Sequence, residues 1–169
     1  MSSRAALGDR PGRLGYLVVV HGVAGIACDF CDVAAFRHSE VFIENDLYFF
    51  ASHATPVHGT LPGSGLVIPR AHRDSPFELT PDEWLATQSL LLEAKSLVDQ
   101  RLRPDGYNLI WNVGADAGQE VAHAHLHMIP RFHDEPYAGK GARWWLKQGE
   151  NRRPDPAAPG LGRVVRAWP

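Results

Sequence analysis

The residues best suited to chemistry lie together in His123-Ala124-His125-Leu126-His127-Met128-Ile129-Pro130. The chain holds 9 histidines, and three of them alternate here with apolar residues. Extended backbone repeats every two residues. His123, His125 and His127 are therefore expected on one face, with Leu126 and Met128 turned the other way into a core. Side chains on one face stand about 7 Å apart, giving a row of groups near neutrality at pH 7. Three readings compete: a polar outer face, a three-histidine catalytic zinc, and nucleophilic attack by an imidazole on phosphorus. A solvent face would more usually mix lysine, glutamate and threonine. The second cluster is Cys28-Asp29-Phe30-Cys31. Its spacing suits a redox dithiol, two core cysteines, or half of a tetrahedral metal site. A redox pair usually sits beside a βαβ pattern, and none is visible here.

The elements that must position these residues are read from local signals. Residues 14–20 are short, apolar and β-branched, which suggests a strand or buried segment. Residues 41–44 and 47–50 flank Asn45-Asp46 and read as a β-hairpin. Residues 51–64 read as a loop and 65–69 as a compact strand. Thr80-Pro81-Asp82-Glu83 is a helix start: Thr80 caps, Pro81 suits the first turn, and Glu83 completes a capping box. Trp84, Leu91, Val98 and Leu102 fall on one face of that helix, which Pro104 and Gly106 should end. Residues 107–113 and 121–129 read as strands around a glycine-rich turn at 114–118. The order is strands, one long helix, then more strands. That predicts an α+β fold, a mostly antiparallel sheet with one long helix packed on it.

Length and composition bound the class. The chain has 169 residues, 44% of them hydrophobic and 21% charged, so it can bury a core. A formal net charge of -2 gives no electrostatic footprint for nucleic acid. No apolar run approaches the roughly 20 residues of a membrane span. Arg4, Arg10 and Arg13 precede the apolar run, and Gly25-Ile26-Ala27-Cys28 loosely matches a lipoprotein cleavage site. Against export, His21 interrupts the run and Asp9 sits among the arginines, so a cytoplasmic protein is expected. The organisation expected is an arm at 1–13, one domain at 14–133, and a C-terminal extension at 134–169.

The triad resembles the His-φ-His-φ-His-φ-φ motif of the histidine triad (HIT) superfamily. The resemblance extends through Asn112-Val113-Gly114, Ala117-Gly118-Gln119-Glu120-Val121 and Ile129-Pro130-Arg131 in order and spacing. Upstream, Leu66-Val67-Ile68-Pro69-Arg70-Ala71-His72 is similar to a family strand, and the capped helix falls between. The match covers roughly residues 28–131 and implies a HIT-like fold and a homodimer.

The same resemblance implies site roles. His125 would be the nucleophile, and His127 would contact phosphate oxygens or the leaving group. Asn112, Gly118 and Gln119 would line the phosphate pocket, with Gln119 also serving catalysis. In the zinc-carrying branch the ligands would be Cys28, Cys31, His72 and His123, a closed structural set. That set argues against a catalytic three-histidine metal, because His123 cannot easily serve both. The implied activity is hydrolysis of a dinucleoside polyphosphate or nucleoside phosphoramidate to a nucleoside 5′-monophosphate. A regulatory nucleotide-binding module and a nucleotidyltransferase are the alternatives. Transferase branches often carry Gln in place of the third histidine, and His127 leans against them. One departure concerns the nucleoside. Where the family carries an Asp for the ribose, this chain reads Ala51-Ser52-His53, and Ser64 replaces a histidine. Ser52 could bond one hydroxyl, and His53 or His58 could substitute. In the extension, Trp144 or Trp145 could stack on a base with Arg143 or Lys147 near phosphates, or anchor the tail.

Overall fold

The computed structural model describes residues 28–52 and 61–152. The predicted arm, the segment 14–20, His53, His58 and the end of the extension lie outside the described residues. A 3₁₀ turn at Asp29–Cys31 leads into a one-turn helix α1, Val33–Phe36. Then follow β1 Val41–Glu44, β2 Tyr48–Ser52, β3 Gly65–Pro69, the long helix α2 Pro81–Leu102 and β4 Gly106–Trp111. β5 Leu126–Arg131 and a short helix α3, Ala142–Leu146, complete the order. The five strands form one antiparallel sheet in the order β1-β2-β3-β5-β4. The α+β expectation is met.

The local signals act where they were read. The Asn45 side chain accepts from the backbone N–H of Leu47 and Tyr48 at 2.9 and 2.7 Å, which folds the hairpin turn. Thr80 Oγ1 accepts from Glu83 N at 3.2 Å, and the Glu83 carboxylate accepts from Thr80 N at 2.7 Å. Arg103, in a left-handed conformation, ends the helix.

The register divides the sheet into two faces. Tyr48, Phe50, Val67, Leu126 and Met128 face α2, where Leu90, Ala94 and Val98 meet them. Phe49, Ala51 and Ile68 face the other way and are covered by Phe30, Val33, Phe36 and Phe42. Each fully buried Leu, Phe or Met contributes roughly 1.5–3 kcal/mol. The segment 28–36 is therefore a second layer rather than a loose leader.

Three sequence expectations need correction. The helix buries Glu83, Thr87, Leu90, Ala94 and Val98, whereas Trp84 is 45% exposed. Small Thr87 and Ala94 allow close approach to the sheet, and Glu83 is tolerated there because Arg73 pairs with it at 3.2 Å. Ala51 and Ser52 belong to β2, pairing with Leu66 and Gly65, and not to a loop. The strand carrying the triad begins at Leu126, not residue 121. Before it, Ala124 N donates to Arg73 O at 2.5 Å, which pulls the chain off the sheet and over the His72 loop.

Candidate active site and metal centre

The departure at residue 124 sends the three histidines to different neighbours. His127 pairs with Leu66 in the sheet and lies on the face away from α2. His125, 6% exposed, donates Nδ1–H to its own neighbour's carbonyl, His123 O, at 2.8 Å. A carbonyl only accepts, so this bond fixes the tautomer and leaves the lone pair on Nε2. The His125 and His127 rings meet edge-on with centroids 4.9 Å apart. Burial, then the neighbouring His125, lowers the His127 pKa to about 4. His127 is thus neutral at pH 7, and its buried Nε2 has no hydrogen-bond partner among the described residues.

His123 is fully buried and turns toward sulfur. Its Nδ1 lies 3.3 Å from Cys28 Sγ and 3.6 Å from Cys31 Sγ. His72 Nδ1 lies 3.3 Å from Cys31 Sγ. The four ligand atoms all sit within 4.8 Å of one another. Around a tetrahedral zinc with bonds of 2.0–2.3 Å, neighbouring ligand atoms would be roughly 3.3–3.8 Å apart. The outer nitrogens fit as well: His123 Nε2 donates to Pro69 O at 2.9 Å, and His72 Nε2 to Asp74 Oδ1 at 2.9 Å. Both Nδ1 lone pairs are thereby aimed inward, as metal-binding histidines require. Although the Cys31 side chain is exposed, loss of hydration in its packed part pushes the thiol up to about 11, and the hydrogen-bonded Cys28 sulfur adds to this. A bound cation would reverse that by favouring thiolates. The set fits Cys₂His₂ zinc.

The profile of the HIT domain matches residues 36–134. The chain belongs to the HIT family. It is 34% identical over 138 residues to an uncharacterized 16.1 kDa HIT-like protein of Mycoplasma pneumoniae, covering 80% of this chain and 90% of that one. It is 35% identical over 99 residues to the bis(5′-adenosyl)-triphosphatase of Dictyostelium discoideum, covering 56% of this chain and 62% of the relative. It is 32% identical over 105 residues to an adenosine 5′-monophosphoramidase of Saccharomyces cerevisiae, covering 62% and 63%. HIT relatives of this chain thus include hydrolases. Among solved structures, a HIT family protein of Bacillus anthracis superposes with a TM-score of 0.55 at 27% identity, covering 73% of this chain and 88% of that one.

Within this HIT fold, the glycine-rich turn is braced by the two amides read from the sequence. Gly114 and Gly118 adopt φ of 80° and 85°, where side chains are disfavoured. Asn112 Nδ2 donates to Gly118 O at 3.3 Å. Gln119 accepts from Gly114 N at 2.8 Å and donates to Asp74 O at 2.7 Å. Ser52 is not brought to the triad. Its partner Gly65 pairs in turn with Met128, a residue of the α2 side. Ser52 is 2% exposed and its hydroxyl donates to Ser64 O at 2.8 Å.

The described part of the extension, residues 134–152, is tied to β5. Arg131 donates to the carbonyls of Tyr137 and Lys140 and pairs with Glu135. Trp144 and Trp145 stack edge-on at 4.5 Å, Tyr137 meets Trp145 at 5.2 Å, and Lys140 lies over Trp144 at 4.6 Å. Sequence reading missed Phe30 and Asp74. Asp74 had a signal in its position two residues after His72, the span its carboxylate bridges. Phe30 had none beyond its place between the cysteines.

Proposed function

We propose that this HIT protein is a nucleotide hydrolase that releases a nucleoside 5′-monophosphate through a covalent nucleotidyl–His125 intermediate. The observation that carries the reading is the His125 Nδ1–H bond to His123 O, which leaves Nε2 as the nucleophilic lone pair. Nε2 attacks the α-phosphorus, a P–N bond forms, and the P–O or P–N bond to the leaving group breaks. The leaving group takes up a proton from water. Water then attacks the same phosphorus, breaks the P–N bond to His125 and yields the monophosphate, releasing a proton. Neutral His127 hydrogen-bonds the phosphate oxygens where charge develops. Gly118, Asn112 and Gln119 shape the wall of the phosphate pocket, with Asn112 keeping a second amide hydrogen for an oxygen. The relatives named as a triphosphatase and a phosphoramidase support a dinucleoside polyphosphate or nucleoside phosphoramidate as substrate.

Zinc on Cys28, Cys31, His72 and His123 would hold the 28–31 turn against the triad segment and is structural. Two copies would pair along β4, an edge of the sheet flanked by exposed Leu109 and Trp84. Among the described residues no helix is long and apolar enough to cross a membrane. Two cysteines kept free for metal suit the cytoplasm.

The test is hydrolysis of diadenosine tetraphosphate and adenosine phosphoramidate by wild type and His125→Ala, with wild type quenched in detergent at alkaline pH, where a P–N bond survives, examined for a nucleotidyl adduct on His125. Full activity in His125→Ala would end the covalent mechanism. A second reading, a binding module with little turnover, is motivated by the altered ribose region, where Ala51-Ser52-His53 stands in place of the family's Asp. Tight nucleotide binding with no product across the panel would select it. Phosphate-dependent product formation would select nucleotidyl transfer.

A further inference from the structure

The cysteine turn and the nucleophile are joined by one side chain. Phe30 lies between Cys28 and Cys31 in the 3₁₀ turn, which closes with Cys31 N donating to Cys28 O at 2.9 Å. Its ring meets His125 edge-on, with centroids 5.0 Å apart and planes at 90°. It also meets His123 at 6.0 Å and Phe36 at 5.6 Å. His127 bounds His125 on another side. A single hydrogen bond at Nδ1 lets an imidazole swing about that bond. Edge-to-face packing removes the swing, because the ring then has a preferred tilt.

The same four ligand atoms govern both restraints. Cys28 and Cys31 bracket the turn that carries Phe30. His123, the buried ligand, supplies the carbonyl that holds His125 Nδ1. The geometry points to Phe30 as a positioning residue for His125: the cysteine turn, closed on its metal, sets the Phe30 ring against the nucleophile, so metal occupancy governs how well His125 is aimed. This rests on the hydrolase reading and adds to it a control by the distant-looking metal. Misplacement of a reacting group by a fraction of an ångström is costly, so an effect of about tenfold or more on kcat is expected.

The experiment compares wild type, Phe30→Leu and Phe30→Tyr, each purified with zinc, by zinc content, kcat, KM and long-range ¹H–¹⁵N spectra of the His125 ring. Phe30→Leu is expected to keep its zinc, lose kcat about tenfold with little change in KM, and broaden the His125 ring signals. Phe30→Tyr, which keeps the ring edge, should restore kcat. Zinc removal from wild type should reproduce the loss, and zinc removal from Phe30→Leu should add little. A rise in KM alone would make Phe30 a substrate wall. Unchanged His125 ring signals, or losses from zinc removal and Phe30→Leu that simply multiply, would overturn the proposal. If wild type hydrolyses nothing, the hydrolase reading falls by itself. The ring spectra, which need no substrate, still decide the positioning role, and those of zinc-free wild type decide it if Phe30→Leu does not fold.

Discussion

His127 offers a direct test of whether burial holds its own imidazole neutral. Acidification is the perturbation and His127→Gln the comparison. An imidazole that titrates near 6.5 when unfolded titrates at about 4 in the fold, because burial and His125 oppose its charge. Between those values the unfolded chain binds more protons than the folded one, so stability falls as pH falls. The contribution is fully present above about 6.5 and is lost progressively toward 4. Linkage gives roughly 2 kcal/mol between pH 7.5 and 5 for a shift of that size. His127 keeps some contact with solvent, and a discounted loss of about 1 kcal/mol is expected. Burial also lowers His123, in the same direction. Glu44, Glu83, Asp99 and Asp105 are held below their usual range and titrate outside this window. Asp105 raises exposed His133, which acts with the opposite sign but is common to both proteins. Urea unfolding at pH 7.5, 6 and 5 is the assay, with zinc content matched. Wild type should lose about 1 kcal/mol more than His127→Gln. Equal losses would show that His127 titrates normally and would refute the claim that burial holds its pKa down.

Other expectations concern packing, metal and assembly. A methyl added at Gly65 would lie 2.5 Å from the buried Phe50 ring and 2.7 Å from Ala51 O, so Gly65→Ala should cost about 1–3 kcal/mol in urea unfolding. Gly106→Ala, where nothing lies within 4 Å, is the control and should change little. Cys31→Ser and His72→Ala should each abolish zinc retention through gel filtration and lower Tm, and a variant with undiminished zinc would remove its residue from the ligand set. Leu109→Lys, placing charge on the exposed edge of the sheet, should shift a dimer to monomer by light scattering. An unchanged mass would exclude pairing along β4.

The parts legible in the sequence are those decided within a few residues. Thr80 and Glu83 satisfy each other across one helical turn, and Asn45 folds its own hairpin, so neither depends on the rest of the chain. The helix face was harder to read because Leu85, Leu90, Leu91 and Leu92 put apolar surface around the helix. Two small residues, Thr87 and Ala94, decided which stripe could approach the sheet. Ser52 was read as a loop residue for a similar reason. Once β2 continues to Ser52, alternation with Tyr48 and Phe50 puts it on the α2 side, away from His127. The metal set came from family resemblance; its fit is visible only where Pro69 O and Asp74 Oδ1 turn two imidazoles inward.

The triad shows where a period-two reading stops being enough. It holds in β5 for His127, Leu126 and Met128; the rings of His123 and His125 keep to the same Phe30 side as His127, but the strand itself stops short of them. The cause is a contact distant in sequence, Ala124 N to Arg73 O, that no local pattern announces. That break in the ladder has a chemical consequence. A regular strand would set three imidazoles in a row about 7 Å apart on one face. The bend instead brings His125 and His127 to 4.9 Å while His123 reaches the cysteine sulfurs at 3.3 and 3.6 Å. On the proposed reading, one five-residue segment would serve a metal centre with its first histidine and a phosphate site with the other two. His123 belongs to both, through its ring and its carbonyl. Damage to the zinc cluster should therefore reach His125, chiefly through the Phe30 ring that the cysteine turn carries, even if every triad side chain is intact.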